Sequence, residues 1–300
     1  MRSEAKGRFQ ALSKTGLNRQ TTISRSKSYE GLGLHTGKPS RVTLLPAPPD
    51  RGVSFERYDF SEPRTIPVTP ANIGGSRRAT DLECDGVAVR TVEHIMAAIS
   101  WSDIDNVVVR LEGEELPLGD GSALTYVRLL REAGVTDLSA KRHEMRVTCP
   151  RWTTRGTSHL IALPYEGTRV TFLFLRKGSH LEPEYSDSEY LDIEVTPEVF
   201  REEIAPARTI GFQWELETIQ EQGLALGATL DRAAIVGENG YVGETRFPNE
   251  ACRHKALDLL GDIAILGRVL GHFIGIGSGH SMNHELVQLI SRDLEVKRGV

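Results

Sequence analysis

The segment Arg253-His254-Lys255-Ala256-Leu257-Asp258-Leu259-Leu260-Gly261-Asp262 constrains the fold more than any other. His254, Asp258 and Asp262 recur every fourth residue, so on a helix they form one stripe, each a turn above the last. The rest of the circumference is largely apolar: Leu257, Leu259, Leu260, Ile263, Ala264 and Leu266. A helix apolar nearly all round is a buried helix. A buried stripe of one imidazole and two carboxylates must be paired or must hold a metal. The competing reading is an i,i+4 His–Asp ion pair on a wet face, worth only about 0.3 kcal/mol. The periodicity predicts this helix over roughly residues 250–266.

Two further clusters carry chemistry. Glu93-His94 follows Thr91, a residue suited to N-cap a helix whose apolar positions are Val92, Ile95, Met96 and Ile99. His94, His254 and Asp258 would supply three ligands and leave a fourth position open, the pattern of a catalytic metal site. A glutamate at a helix start is also common for electrostatic reasons alone. The third cluster is Ser278-Gly279-His280-Ser281-Met282-Asn283-His284, where glycines 275, 277 and 279 predict a flexible turn before a helix starting near Ser281. His280 there is either a cap or surface residue, or an acid able to protonate a leaving amine. Gly31-Leu32-Gly33-Leu34-His35-Thr36-Gly37-Lys38 resembles a phosphate loop only superficially. Its spacing fits neither nucleotide-binding pattern, and Pro39 stands where a magnesium-binding hydroxyl belongs.

Organisation follows from the strand and helix signals. Strand-like stretches at residues 42–45, 53–55, 87–89 and 106–111 are interrupted by the helix after Thr91, and a second helix is predicted from Ser122 to a C-cap glycine at Gly134. Strands near residues 145–148, 160–163 and 170–175 then precede a helix-like stretch at 214–220 and the long helix. This order predicts an α+β fold of two domains of similar size. The expected divisions are a flexible tail over residues 1–18, a first domain over 19–142 and a second over 143–300. No convincing sequence repeat links the halves.

Composition narrows the classes. The net charge of −5 argues against an extended nucleic acid as partner. Cys84, Cys149 and Cys252 are scattered and odd in number, which fits a reducing, cytoplasmic compartment. No apolar run reaches the length of an integral membrane segment. The basic residues Arg2, Lys6, Arg8 and Lys14 lack the apolar stretch of a secretory signal.

In order along the chain stand Gly-Leu-Gly-Leu-His-Thr-Gly at 31–37, Thr-Val-Glu-His at 91–94 and Ile-Asp-Asn at 104–106. Pro117 with Asp120-Gly121-Ser122 and Ala-Arg-Thr-Ile-Gly-Phe at 207–212 come next, before the segments at 253–262 and 278–283. This set resembles the zinc-dependent UDP-3-O-acyl-N-acetylglucosamine deacetylases over roughly residues 20–290. The resemblance implies hydrolysis of the N-acetyl group of a UDP-linked acylated N-acetylglucosamine, releasing acetate, in lipid A biosynthesis. It implies one Zn²⁺ per chain, or Fe²⁺, on His94, His254 and Asp258, and Glu93 as the base that activates water. It makes His280 the acid, with Asp262 hydrogen-bonded behind it, and Thr209 and Lys255 the groups that steady the oxyanion and substrate. Ile210, beside Thr209, stands where members of that family carry an aromatic residue, and Gly227-Ala228 where they carry Gly-Gly. The resemblance also implies two domains of similar topology, each a mainly antiparallel sheet with helices packed at the domain junction. Residues 212–235 would form an insert that receives the acyl chain, and the expected state is a monomer. The alternative is a diverged deacetylase of the same fold acting on another N-acetylated sugar. A non-catalytic zinc-stabilised carbohydrate-binding protein would not need Glu93, Asp262 and His280. A metalloprotease would carry His-Glu-x-x-His.

Overall fold

The computed structural model describes residues 19–75, 78–175, 188–229, 231–238 and 240–298, so the tail read over 1–18 lies outside the described residues. The fold is α+β. The first sheet comprises β1 (Lys27–Leu32), β2 (Pro39–Pro46), β3 (Val53–Arg57), β4 (Arg64–Pro67) and β5 (Val107–Glu112) in the order β1-β2-β5-β3-β4. Alternation in β2 and β5 sends Val42, Leu44, Val107, Val109 and Leu111 inward, all fully buried. The second sheet runs β6 (Arg151–Arg155), β7 (Ser158–Leu163), β8 (Thr168–Phe174), β9 (Glu189–Glu194) and β10 (Val269–Ile276) in the order β6-β7-β10-β8-β9, with a sixth, two-residue strand, Met145–Arg146, paired parallel to the start of β10 off that path. The two orders are the same, and in each sheet the last strand in sequence lies parallel to the third.

Helices α1 (Glu93–Trp101) and α2 (Leu124–Ala133) belong to the first half, and α3 (Glu250–Ile263) and α4 (His280–Arg298) to the second. Each of α1 and α3 precedes the last strand of its sheet. Both are buried along almost their whole length, and one apolar core runs through them and the inner faces of both sheets. α1 and α3 meet at Gly261, where a Cβ would come within 2.1 Å of the Glu93 carbonyl oxygen. Only glycine permits that approach, and the approach brings Glu93 and His94 beside the stripe of α3. A three-stranded sheet of Thr209–Phe212, Ala233–Gly237 and Gly240–Val242 caps this region, with the short helix Leu216–Glu221 between its first two strands.

Two local expectations need correction. Thr91 does not cap α1. It sits at φ 60°, Val92 occupies the cap position, and the Thr91 hydroxyl donates instead to Glu115 Oε1 at 3.0 Å. With Val92 already in helical conformation at the cap position, Thr91 lies one residue outside the helix end. The glycines before His280 are also not one flexible turn. Gly275 lies inside β10, where a Cβ would meet the Phe172 ring at 2.4 Å, and of the three only Gly277, at φ 55°, makes a left-handed turn. Gly134 ends α2 as expected, at φ 70°. The long helix stops at Ile263 and tightens into a 3₁₀ turn over Ala264–Leu266.

Candidate active site

α1 presents Glu93 and His94 in its first turn, and α3 presents His254, Asp258 and Asp262 along one stripe. α4 delivers His280 as its first residue. All six are at least nine-tenths buried. His94 and His254 meet edge to face with ring centroids 5.1 Å apart. Ligand-capable atoms of His94, His254 and Asp258 lie within 4.8 Å of one another.

The protonation pattern tests whether this group suits a cation. His254 Nδ1 lies 3.2 Å from the Ala207 carbonyl, which can only accept, so the proton sits on Nδ1 and Nε2 carries a lone pair. That lone pair faces Asp258 Oδ1 at 3.2 Å, and His94 Nε2 lies 3.9 Å from the same oxygen. Among the described residues Asp258 Oδ1 is buried without a hydrogen-bond partner, as expected where both atoms of the 3.2 Å pair are acceptors. Two acceptors facing each other in a dry site repel unless a cation lies between them. Burial pushes the His94 imidazole down to about 3, so it stays neutral and ligand-ready. Burial opposes ionisation of Asp258, yet the cationic groups beside it, Lys255 and His280 among them, hold it below the usual carboxylate range. The residues present therefore fit a divalent metal.

Around that group stand proton carriers. Burial raises the Glu93 carboxyl to about 8, with Asp258 and Asp262 adding to it against the opposing His280. Glu93 Oε2 accepts the Thr80 backbone N–H at 3.0 Å. His280 Nδ1 donates to Asp262 Oδ2 at 2.8 Å, and His280 Nε2 lies 3.5 Å from Asp258 Oδ2. Burial disfavours the imidazolium, but Asp262 and Asp258 outweigh it and raise His280 to about 9. Asp262 also accepts the Asn283 amide at 2.8 Å and the Thr80 hydroxyl at 2.5 Å. Lys255 Nζ donates to Asp258 Oδ2 at 2.8 Å.

A cavity of about 280 Å³ opens over these groups. Glu93, His254, Lys255, Asp258 and His280 line it on the metal side, Thr209 and Ile210 on another, and Leu34, His35 and Arg78 come from the first half. Leu216, Ile219, Ala225, Ala228 and Ile235 extend it as an apolar arm. Trp214 and Leu226, also expected in the acyl insert, are exposed instead, and Leu230 lies outside the described residues. A second cavity, about 330 Å³, opens beside Ile99 at the opposite end of α1, and two of its charged residues, Asp103 and Arg268, pair with each other at 2.6 Å.

Sequence reasoning missed Thr80 and Glu115. Thr80 works through a backbone N–H and a hydroxyl from a loop, 182 residues from Asp262, and no spacing marks it. Glu115 was marked only by two acidic neighbours, Glu112 and Glu114.

Fold and site together define the class as α+β metal-dependent hydrolases. Within that class, the chain belongs to the UDP-3-O-acyl N-acetylglycosamine deacetylase family, whose model matches residues 20–292. It is similar to proteins named UDP-3-O-acyl-N-acetylglucosamine deacetylase. The Nitratidesulfovibrio vulgaris protein is 39% identical over 91% of this chain and 88% of its own length. The Syntrophotalea carbinolica protein is 38% identical over 90% and 87%. The Chlamydia abortus protein is 35% identical over 92% and 98%.

Proposed function

We propose that this chain hydrolyses the N-acetyl group of UDP-3-O-acyl-N-acetylglucosamine, releasing acetate, as a step of lipid A biosynthesis. The reading rests on family membership, and the single structural observation that carries its chemistry is the unpartnered Asp258 Oδ1 facing the lone pair of His254. His94, His254 and Asp258 would hold one divalent ion, Zn²⁺ by their nitrogen-rich donor set, with Fe²⁺ as the competing metal. Such an ion, when bound, supplies Lewis acidity that makes water nucleophilic near neutral pH and polarises the acetamide carbonyl.

The chain's own groups then divide the proton work. Glu93 takes a proton from the attacking water at its carboxylate. Thr209 donates its hydroxyl toward the carbonyl oxygen as charge develops there. His280, held by Asp262 at Nδ1, delivers its Nε2 proton to the departing nitrogen, so the C–N bond breaks to an amine rather than an amide anion. Lys255 and Ile210 border the bound sugar nucleotide. Among the described residues no helix is long and apolar enough to cross a membrane. A monomer working in the cytoplasm, with domains over 19–142 and 143–300 and an acyl insert within 212–235, completes the proposal. The shared strand order of the two sheets supports that division.

The deciding assay is acetate release from UDP-3-O-acyl-N-acetylglucosamine by the purified chain loaded with one equivalent of Zn²⁺. Release that a chelator abolishes and added metal restores is the expected result. No release from this substrate, with release from an N-acetylated sugar lacking the acyl chain, would overturn the reading in favour of a diverged deacetylase.

A further inference from the structure

We infer that Glu115 is a positioning residue that ties the wall of the substrate cavity to the helix carrying the proposed base. Glu115 is 2% exposed, and its carboxylate accepts four uncharged donors. Oε1 takes the His35 N–H at 2.8 Å and the Thr91 hydroxyl at 3.0 Å. Oε2 takes the Thr36 N–H at 2.8 Å and the Thr36 hydroxyl at 2.7 Å. Successive backbone N–H groups converging on one carboxylate form an anion nest. The loop is drawn so close that a Cβ on Gly33 would meet Glu115 Oε2 at 2.2 Å.

The two sides of this tie lead to different parts of the site. On one side, Thr91 holds a left-handed backbone two residues before Glu93, a conformation that costs a β-branched residue of order 1–3 kcal/mol unless its surroundings hold it. On the other side, the loop meets the second half of the chain. The Gly227 N–H donates to the Leu34 carbonyl at 2.9 Å and the Leu226 N–H to the His35 carbonyl at 3.2 Å. A Cβ on Gly227 would meet the Gly33 carbonyl oxygen at 2.2 Å. Leu34, His35, Ala225 and Ala228 all line the cavity. The wall facing substrate is therefore a backbone seam between the two halves, and Glu115 anchors its first-half edge.

This inference rests on reading that cavity as the substrate site. Its test uses the full metal-loaded chain and two readouts, steady-state kinetics on UDP-3-O-acyl-N-acetylglucosamine and amide hydrogen exchange. Glu115→Gln places an NH₂ among donors, so it should raise KM roughly tenfold or more. Exchange at residues 35, 36, 226 and 227 should quicken while the middle of α1 stays protected. Thr36→Val removes one donor from the wall side alone, so KM should rise with kcat at the parent value, and Thr36→Ser should restore KM. A merely structural role would shrink the active fraction, lowering kcat and leaving KM untouched. That pattern in Thr36→Val, or a folded Glu115→Gln with parental KM and exchange, would overturn the inference. An inactive parent would refute the substrate reading instead, and the exchange comparison would still decide the tie.

Discussion

Asp258 Oδ1 and His254 Nε2 face each other at 3.2 Å, both acceptors in the neutral tautomer that the Ala207 carbonyl selects, and the roles of the neighbouring residues follow from that pair. Removing a ligand should remove the cation. His94→Ala and His254→Ala should each cut metal retention sharply, as measured by elemental analysis after dialysis, and parental metal content in both would show the site to be elsewhere. Glu93 lies outside that trio, so Glu93→Gln should keep the metal and lose roughly 10²–10⁴-fold in kcat. Equal loss of metal in this variant would make Glu93 a ligand rather than a base. The pH dependence has a definite sign. His280 is raised from an ordinary 6.5 to about 9 without metal, and a bound cation pulls it back, so, because an acid works only while protonated, kcat/KM should fall through an alkaline limb at or below about pH 9. Glu93 must be ionised, and a bound cation favours its carboxylate. The acid limb of the loaded enzyme should therefore lie below the metal-free value of about 8. An unchanged alkaline limb in His280→Ala would remove His280 from the mechanism. The stripe on α3 was legible because helical period alone aligns residues four apart. Thr80 and Glu115 were not, because each acts across a long sequence separation by hydrogen bonds that leave no periodic trace.

At the scale of elements, the site depends on how closely α1 approaches α3. The Gly261 contact with the Glu93 carbonyl is what lets His94 on one helix and His254 and Asp258 on the other address one point. Gly261→Ala would put a methyl 2.1 Å from that oxygen, and one helix must move. Overpacking of this kind costs about 1–3 kcal/mol. The expected result is a lower unfolding midpoint together with weaker metal binding, followed by denaturant titration and by competition with a chelator. Parental values for both would show that the helices have slack. Among the longer helices, α1 and α3 were readable from apolar period and α2 from its closing glycine. Several strands were not. Val135–Lys141 is largely exposed and pairs antiparallel with Arg19–Ile23, more than a hundred residues earlier, and β1 has no fully buried residue. A strand without an inward apolar face carries no alternation to read, and only its distant partner defines it.

At the scale of the whole molecule, the two halves share one strand order while their sequences show no repeat, because sheet topology needs only alternation and burial, which many sequences satisfy. The site lies where the halves meet, and its apolar arm is closed by both: Leu216, Ile219, Ala228 and Ile235 from the second, Leu34 from the first. An arm closed in this way should measure the acyl chain. Each methylene moved from water into it is worth about 0.8 kcal/mol, or roughly fourfold in kcat/KM. Shortening the 3-O-acyl chain stepwise should therefore lower kcat/KM in proportion, down to the length at which the chain no longer reaches the arm. Ala228 lies on the arm beside the seam with Leu34, so Ala228→Trp should narrow it there. The variant should penalise long chains more than short ones, crossing the parent's profile rather than shifting it evenly. An even shift would mean that the tryptophan disturbs the site as a whole. A flat dependence on acyl length in the parent would mean that the arm receives no lipid, and that the chain deacetylates a sugar without one.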